Sequence, residues 1–322
     1  MYSDHDFVFL ELNLHTVNRC GLGTWKFNNS LLREENFCTA VSDLIDHFIR
    51  FRSSFSSDLT MWDLLNKELK LFTINYSWER WRQLSWERVA TINRLSFLKH
   101  RLAAGCQSVK TEIGELETCL NQLFARQLEG SKIRSRVRWL EEGKTPSRFF
   151  LRLENERYAK SFVSSVFNTS GSEVFSLPEI MEVHTTFYSD LFSRANIDLD
   201  AQHDLFSHVT TRLSDSEQTS CEGPLTLAEA CEALRCSNRK SPGIDSLTVE
   251  FYAQFWDKLG ELLVDVFNQG LERGDLPESM KASVTRLEHN KDDKGDLKNW
   301  RPISLLNVDY KICSKAISMR LF

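Results

Sequence analysis

In the run Asn299-Trp300-Arg301-Pro302-Ile303-Ser304-Leu305-Leu306, one arginine stands between a bulky aromatic and a proline. Proline biases the residue before it toward extended backbone, so Arg301 sits on a stiff support. A guanidinium held this way offers a fork of N–H donors that pairs bidentately with phosphate oxygens. Arg301 is therefore a candidate polyphosphate contact. Lys291, Lys294 and Lys298 precede it, interleaved with Asp292, Asp293 and Asp296. Lys291 could bring a second positive charge to the same ligand, or the run could be a solvated hairpin loop whose charges offset one another. A second cationic concentration lies at residues 126–160. There ten basic residues, among them Arg134, Arg136, Arg138, Lys144 and Arg148, stand against five acidic ones, with Trp139, Phe149 and Phe150 between them. Arginine mixed with aromatics suits neutralisation of a nucleic-acid backbone combined with base stacking. A solvated helix face followed by a turn at 143–146 is the other reading.

Elements that would position Arg301 can be read around it. Residues 282–288 form a strand candidate, followed by the charged loop and a second strand at 302–306. Upstream, Ser241-Pro242-Gly243 is a turn signal, and Asp245 or Ser246 is a plausible N-cap for a helix over 247–256. A further helix over 259–271 ends in a basic last turn and Gly274. The spacing also predicts a helix over 227–236, capped by Thr226 with Glu229 completing a capping box.

The first part of the chain is mostly helical in pattern. Val8, Leu10, Leu12 and Leu14 alternate like a half-buried strand. Residues 31–52 carry apolar residues at helical spacing, and a serine-rich break at 53–57 leads to Asp58 or Thr60 as the next cap. A long helix then runs from Met61 to about Ala104, with Val89, Ile92, Leu95, Leu98 and Leu102 on its inner face. Gly105 is the expected turn. Val109, Ile113, Leu116, Leu120 and Leu123 follow in coiled-coil steps, which predicts an antiparallel hairpin. Trp78, Trp81 and Trp86 read as core at this spacing, ahead of a base-stacking role. Around Ser170-Gly171 a β-hairpin is expected, then a helix with Ile180, Val183, Phe187, Tyr188 and Leu191 inward, then a polar linker at 195–214.

Composition narrows the partners. The 322 residues carry a net charge of −5, so uniformly basic nucleic-acid binding is excluded and local patches must serve. Only 13 glycines and 6 prolines agree with long helices. The eight cysteines are scattered without Cys-x-x-Cys or a paired-histidine spacing, so no metal site and a reduced, intracellular protein are expected. Neither an 18-residue apolar run nor a basic-then-apolar start is present, and no membrane association is expected.

The order Lys240-Ser241-Pro242-Gly243 with Asp245, Glu250-Phe251-Tyr252 with Phe255-Trp256, Gly274 with Leu276-Pro277, and Asn299 through Lys311 resembles the fingers entrance of non-LTR (LINE-type) retrotransposon reverse transcriptases. Ser3-Asp4-His5 before a strand is similar to the last motif of the apurinic-type endonuclease domain of these elements, in which the histidine contacts the scissile phosphate and the aspartate supports the metal and charge arrangement. Gly21-x-Gly23-Thr24-Trp25 through Leu32 also looks like the family, and Ser135 through Phe150 resembles the segment between its endonuclease and polymerase. The resemblance implies that Arg301 contacts the triphosphate of an incoming nucleotide, helped by a lysine for which Lys291 is the candidate. Glu288 and Asn290 depart from the apolar pattern of that loop.

What the resemblance implies for the whole chain is a mainly α fold with a small β component (α+β), an elongated helical hairpin region followed by incomplete fingers. The expected parts are an endonuclease remnant (1–30), a helical linker region (31–194), a linker (195–214) and the start of the polymerase domain (215–322). The parent activity would be RNA-directed DNA synthesis with magnesium, on an RNA template or DNA–RNA hybrid. Two-metal phosphoryl transfer needs carboxylates that hold both ions about 4 Å apart. The family's metal-binding aspartates follow the block that ends here, and Asp309 is not one of them. The chain alone is thus expected to be inactive and to bind no cofactor, while retaining an RNA-binding role. A helical scaffold, self-associating through the hairpin, is the alternative.

Overall fold

The computed structural model describes residues 25–135, 163–193, 198–210, 214–237 and 240–321. After a short 3-10 turn at Asn29–Arg33, α1 spans Glu35–Arg50 and α2 spans Asp58–Ala103. α2 begins where the Ser57 hydroxyl accepts the Thr60 N–H, so Ser57 is the cap, in place of the expected Asp58 or Thr60. Its 46 residues make a rod about 69 Å long. The chain reverses at Gly105, whose φ of 95° is one that side chains rarely adopt, and returns as α3, Lys110–Ser135. The expected antiparallel hairpin is thus present. Leu95 and Leu98 meet Val109 and Ile113, with Leu102, Leu116 and Leu120 packed around them. Arg94–Glu112 and Lys99–Glu117 ion pairs flank this seam.

A small β-hairpin follows, β1 (Val166–Phe167) with β2 (Glu173–Val174), then α4 (Leu177–Leu191) and α5 (Leu199–Ser207). Ile180, Val183 and Phe187 turn inward as expected, but Leu191 stays exposed at the helix end. After α6 (Asp215–Cys221), α7 (Leu227–Cys236) starts with the predicted Thr226–Glu229 capping box. α8 (Val249–Gln254) is capped by Thr248, and α9 (Trp256–Arg273) ends at Gly274. The turn α10 (Glu278–Lys281) leads into an antiparallel ribbon, β3 (Ser283–His289) with β4 (Trp300–Leu306), and α11 (Val308–Met319) closes the described chain. The architecture is mainly helical with small antiparallel sheets, as the pattern predicted.

One large apolar core gathers α1, the first turns of α2, α7, α8, α9 and α11, with Phe27 and Leu31 laid across it. Two polar clamps tie its edges. Arg52 reaches both oxygens of Asp58 (2.7 and 2.6 Å) and Asp265 (2.9 Å), joining the α1–α2 corner to α9. Arg320 grips Glu229 and the carbonyls of Gly223 and Pro224, fastening the end of α11 to the start of α7.

The middle of α2 lies between the large core and the hairpin seam. Trp78, Trp81 and Trp86, expected inside, are 57, 61 and 76% exposed, and Val89 and Ile92 are exposed with them. The reason is geometric: among the described residues α3 packs on one side of the rod, where Leu95 and Leu98 meet Val109 and Ile113, and the exposed side chains lie away from it. Because the hairpin seam is a separate cluster, Leu98→Ala should cost about 2–4 kcal/mol there. Hydrogen exchange should show amides of residues 91–120 losing protection while those of α9 keep it.

Candidate functional site

The β3–β4 ribbon carries Arg301. Successive side chains alternate between its faces. Trp300 and Leu287 lie on one face and are packed against Val166, Ile180 and Leu297, so the β1–β2 hairpin and α4 cover that side. Arg301 falls on the other face with Glu288, Arg286 and Ile303, and all four are exposed. Trp300 is the anchor: it is buried, and its indole N–H donates to the Lys294 carbonyl at 2.8 Å. The stiff support expected from Trp300 and Pro302 thus acquires a tertiary cause.

The loop joining the strands is braced by its own polar groups. Asn299 Nδ2 donates to the Asp293 carbonyl (2.9 Å), Gly295 N–H to Asp293 Oδ1 (2.8 Å), and Lys298 N–H to Asp296 Oδ1 (3.0 Å). The Phe167 N–H donates to the Gly295 carbonyl at 2.8 Å, docking the loop on the first hairpin. Lys291 projects from this loop, well exposed, with Asp292 4.0 Å away. Arg301 forms no ion pair among the described residues, yet register sets Glu288 directly opposite it. An opposed pair of unlike charges on a ribbon contributes about 0.2–1 kcal/mol. Glu288 therefore competes with any phosphate for the guanidinium.

Beneath the C-terminal end of β4 lies a buried polar lock that the sequence reading did not anticipate. Asp245, expected as a possible helix cap, is buried instead; its Oδ1 accepts the Leu247 N–H (3.0 Å) and its Oδ2 the Asn66 amide (3.1 Å). Asp309 is buried too, accepting the Trp62 indole N–H (2.9 Å) and the Tyr310 N–H (2.7 Å). Asn307 Oδ1 accepts the Asp245 N–H (3.2 Å), while its amide donates to the Ser279 carbonyl (2.8 Å). Lys70 and Lys311 hold the carbonyls of Ile244 and Ser241 from outside. A β-carbon at Gly243 would overlap Asn307 and the Leu306 carbonyl carbon, so only glycine allows this approach. Ser246 adopts φ 65°, an unusual value for a side-chain residue, with its hydroxyl donating to the Trp25 carbonyl.

Burial is the main cause that raises both carboxyls above the ordinary range, and repulsion from Asp309 adds to the shift of Asp245. The pair is not a metal site. All four carboxyl oxygens already accept a protein donor, and no three His, Cys, Asp or Glu side chains converge among the described residues. Magnesium therefore finds no fitting ligand set here. Nor does the lock adjoin Arg301. Five steps along the strand, about 17 Å, take Arg301 to Leu306. Of the other expected site residues, Arg134 lies in the last turn of α3, while Asp4, His5, Arg136, Arg138, Lys144 and Arg148 lie outside the described residues.

No helix among the described residues is long and apolar enough to cross a membrane. No family model matches the chain. Over 326 aligned residues that take in 99% of its length, the chain is a relative of a transposon protein. That relative, 34% identical, is the transposon TX1 uncharacterized 149 kDa protein of Xenopus laevis, and the chain spans 24% of its length.

The lock makes a pH prediction. A raised carboxyl pKa means that the folded chain holds its proton more tightly than the unfolded chain does. Stability from this pair should fall as pH climbs from 3.8 toward about 7. Asp245→Asn should flatten that slope in urea titrations at pH 5 and pH 8, since Asn66 can turn its amide to accept from the new side chain. Asp309→Ala, which strands the Trp62 indole and the Tyr310 amide, should cost about 2–4 kcal/mol at either pH.

Proposed function

We propose that the chain is part of a non-LTR (LINE-type) retrotransposon protein with reverse transcriptase ancestry, in which the β3–β4 ribbon brings Arg301 to the triphosphate of a nucleotide. Support comes from three sources. The Asn299–Lys311 block resembles the fingers of such enzymes. The chain's similarity to a transposon protein runs its full length. The single observation that carries the reading is the exposed guanidinium of Arg301, which has no ion pair among the described residues, on the open face of a ribbon whose other face is packed.

In this reading Arg301 binds phosphate oxygens as a fork, and Lys291 supplies a mobile second charge. Glu288 tempers both. Magnesium, bound by carboxylates of the parent enzyme, would supply the charge neutralisation that phosphoryl transfer needs; this chain's contribution is orientation of the triphosphate. The arginine-rich 126–160 stretch adds affinity for an RNA template or hybrid. By itself the chain grips a nucleotide and does not extend a primer.

The test is binding of a fluorescent deoxynucleoside triphosphate with magnesium, followed by anisotropy. Arg301→Ala should weaken binding about 10- to 100-fold, as loss of a charge-assisted contact does. Glu288→Gln should tighten it several-fold. Equal affinity in wild type and Arg301→Ala, or primer extension by the isolated chain, would overturn the reading.

A further inference from the structure

The exposed tryptophans of α2 play no part in the nucleotide site, and packing leaves them unexplained. Trp78, Arg82 and Trp86 stand at steps of four, which aligns them in one row along the helix. Trp81 flanks Arg82, and its ring meets that of Trp78 edge-on at 5.8 Å. Helix rise spreads the row over about 12 Å. Arg82 is exposed and has no ion pair among the described residues, whereas Arg80, Arg94 and Lys99 are engaged by Glu34, Glu112 and Glu117. Residues 76–103 hold six arginines and lysines against Glu79 and Glu87, in a chain of net charge −5.

We infer that this row is a stacking platform for single-stranded nucleic acid. Exposed indole faces accept any base, and the arginine between them neutralises the backbone that links successive bases. Charge selects this occupant over an apolar one: a protein-binding seam of three tryptophans does not need at its centre an exposed arginine that has no ion pair among the described residues, whereas a phosphodiester does. The platform is independent of Arg301, which lies on the ribbon.

The purified chain should quench tryptophan fluorescence on titration with 15-nucleotide single-stranded RNA and, in a parallel arm, single-stranded DNA, with no comparable response to duplex. Binding by either strand type supports the platform and assigns its preference. Replacing Trp78, Trp81 and Trp86 together by alanine should weaken binding at least 100-fold with helicity unchanged by circular dichroism. Phenylalanine at the same three positions should recover most of the affinity, which a merely structural role would not predict. Arg82→Gln should reduce the salt slope by about 0.7. Wild-type affinity in the triple alanine variant would overturn the inference. So would sedimentation showing a dimer that the same variant abolishes, since a second copy would then own the face. Nucleotide binding through Arg301 should survive the triple variant, so failure of one reading leaves the other measurable.

Discussion

Burial of two carboxyls in one apolar core is the constraint on which the rest of the structure turns. Asp245 and Asp309 come from segments more than sixty residues apart, and the side chains that satisfy them, Asn66 and Trp62, come from α2. A buried carboxyl without donors costs several kcal/mol, so the three segments can sit only where the hydrogen bonds close. Apolar packing alone would tolerate small shifts between α2 and α11. The lock does not, and Asn307 extends it to the Ser279 carbonyl at the foot of β3.

That fixed foot is what lets a two-stranded ribbon hold a shape. An isolated hairpin is marginal in water. Here one end is set by Asn307 and the other by Trp300, whose indole is buried against the first hairpin and α4. The open face consequently presents Arg301 and Glu288 at a defined height above the core.

Long α2 has two lives. Its first turns belong to the core, where Trp62 and Asn66 complete the lock. Its later turns pair with α3 in a seam that makes few demands on the far side of the rod. Among the described residues the other side of this stretch is exposed, and it carries tryptophan and arginine.

Much of this was legible from the residues alone. Local physics wrote the Thr226 capping box, the Gly105 reversal, the stop at Gly274, the β3–β4 ribbon and the apolar stripes of the helical hairpin, because each depends on side chains within a few positions of one another. The stiffness of Arg301 was legible for the same reason. Glu288 stood out as a departure, but only strand register shows that it faces Arg301. The lock was hidden: an aspartate inside Val308-Asp309-Tyr310 hints at burial, yet nothing local says that its donor is an indole 247 positions away. The tryptophans were misjudged because periodicity reports that a face is apolar without saying whether a partner covers it. Sequence determined which elements form and where they turn; which faces meet was decided by long-range closure of buried polar groups, a condition that no short window of residues contains.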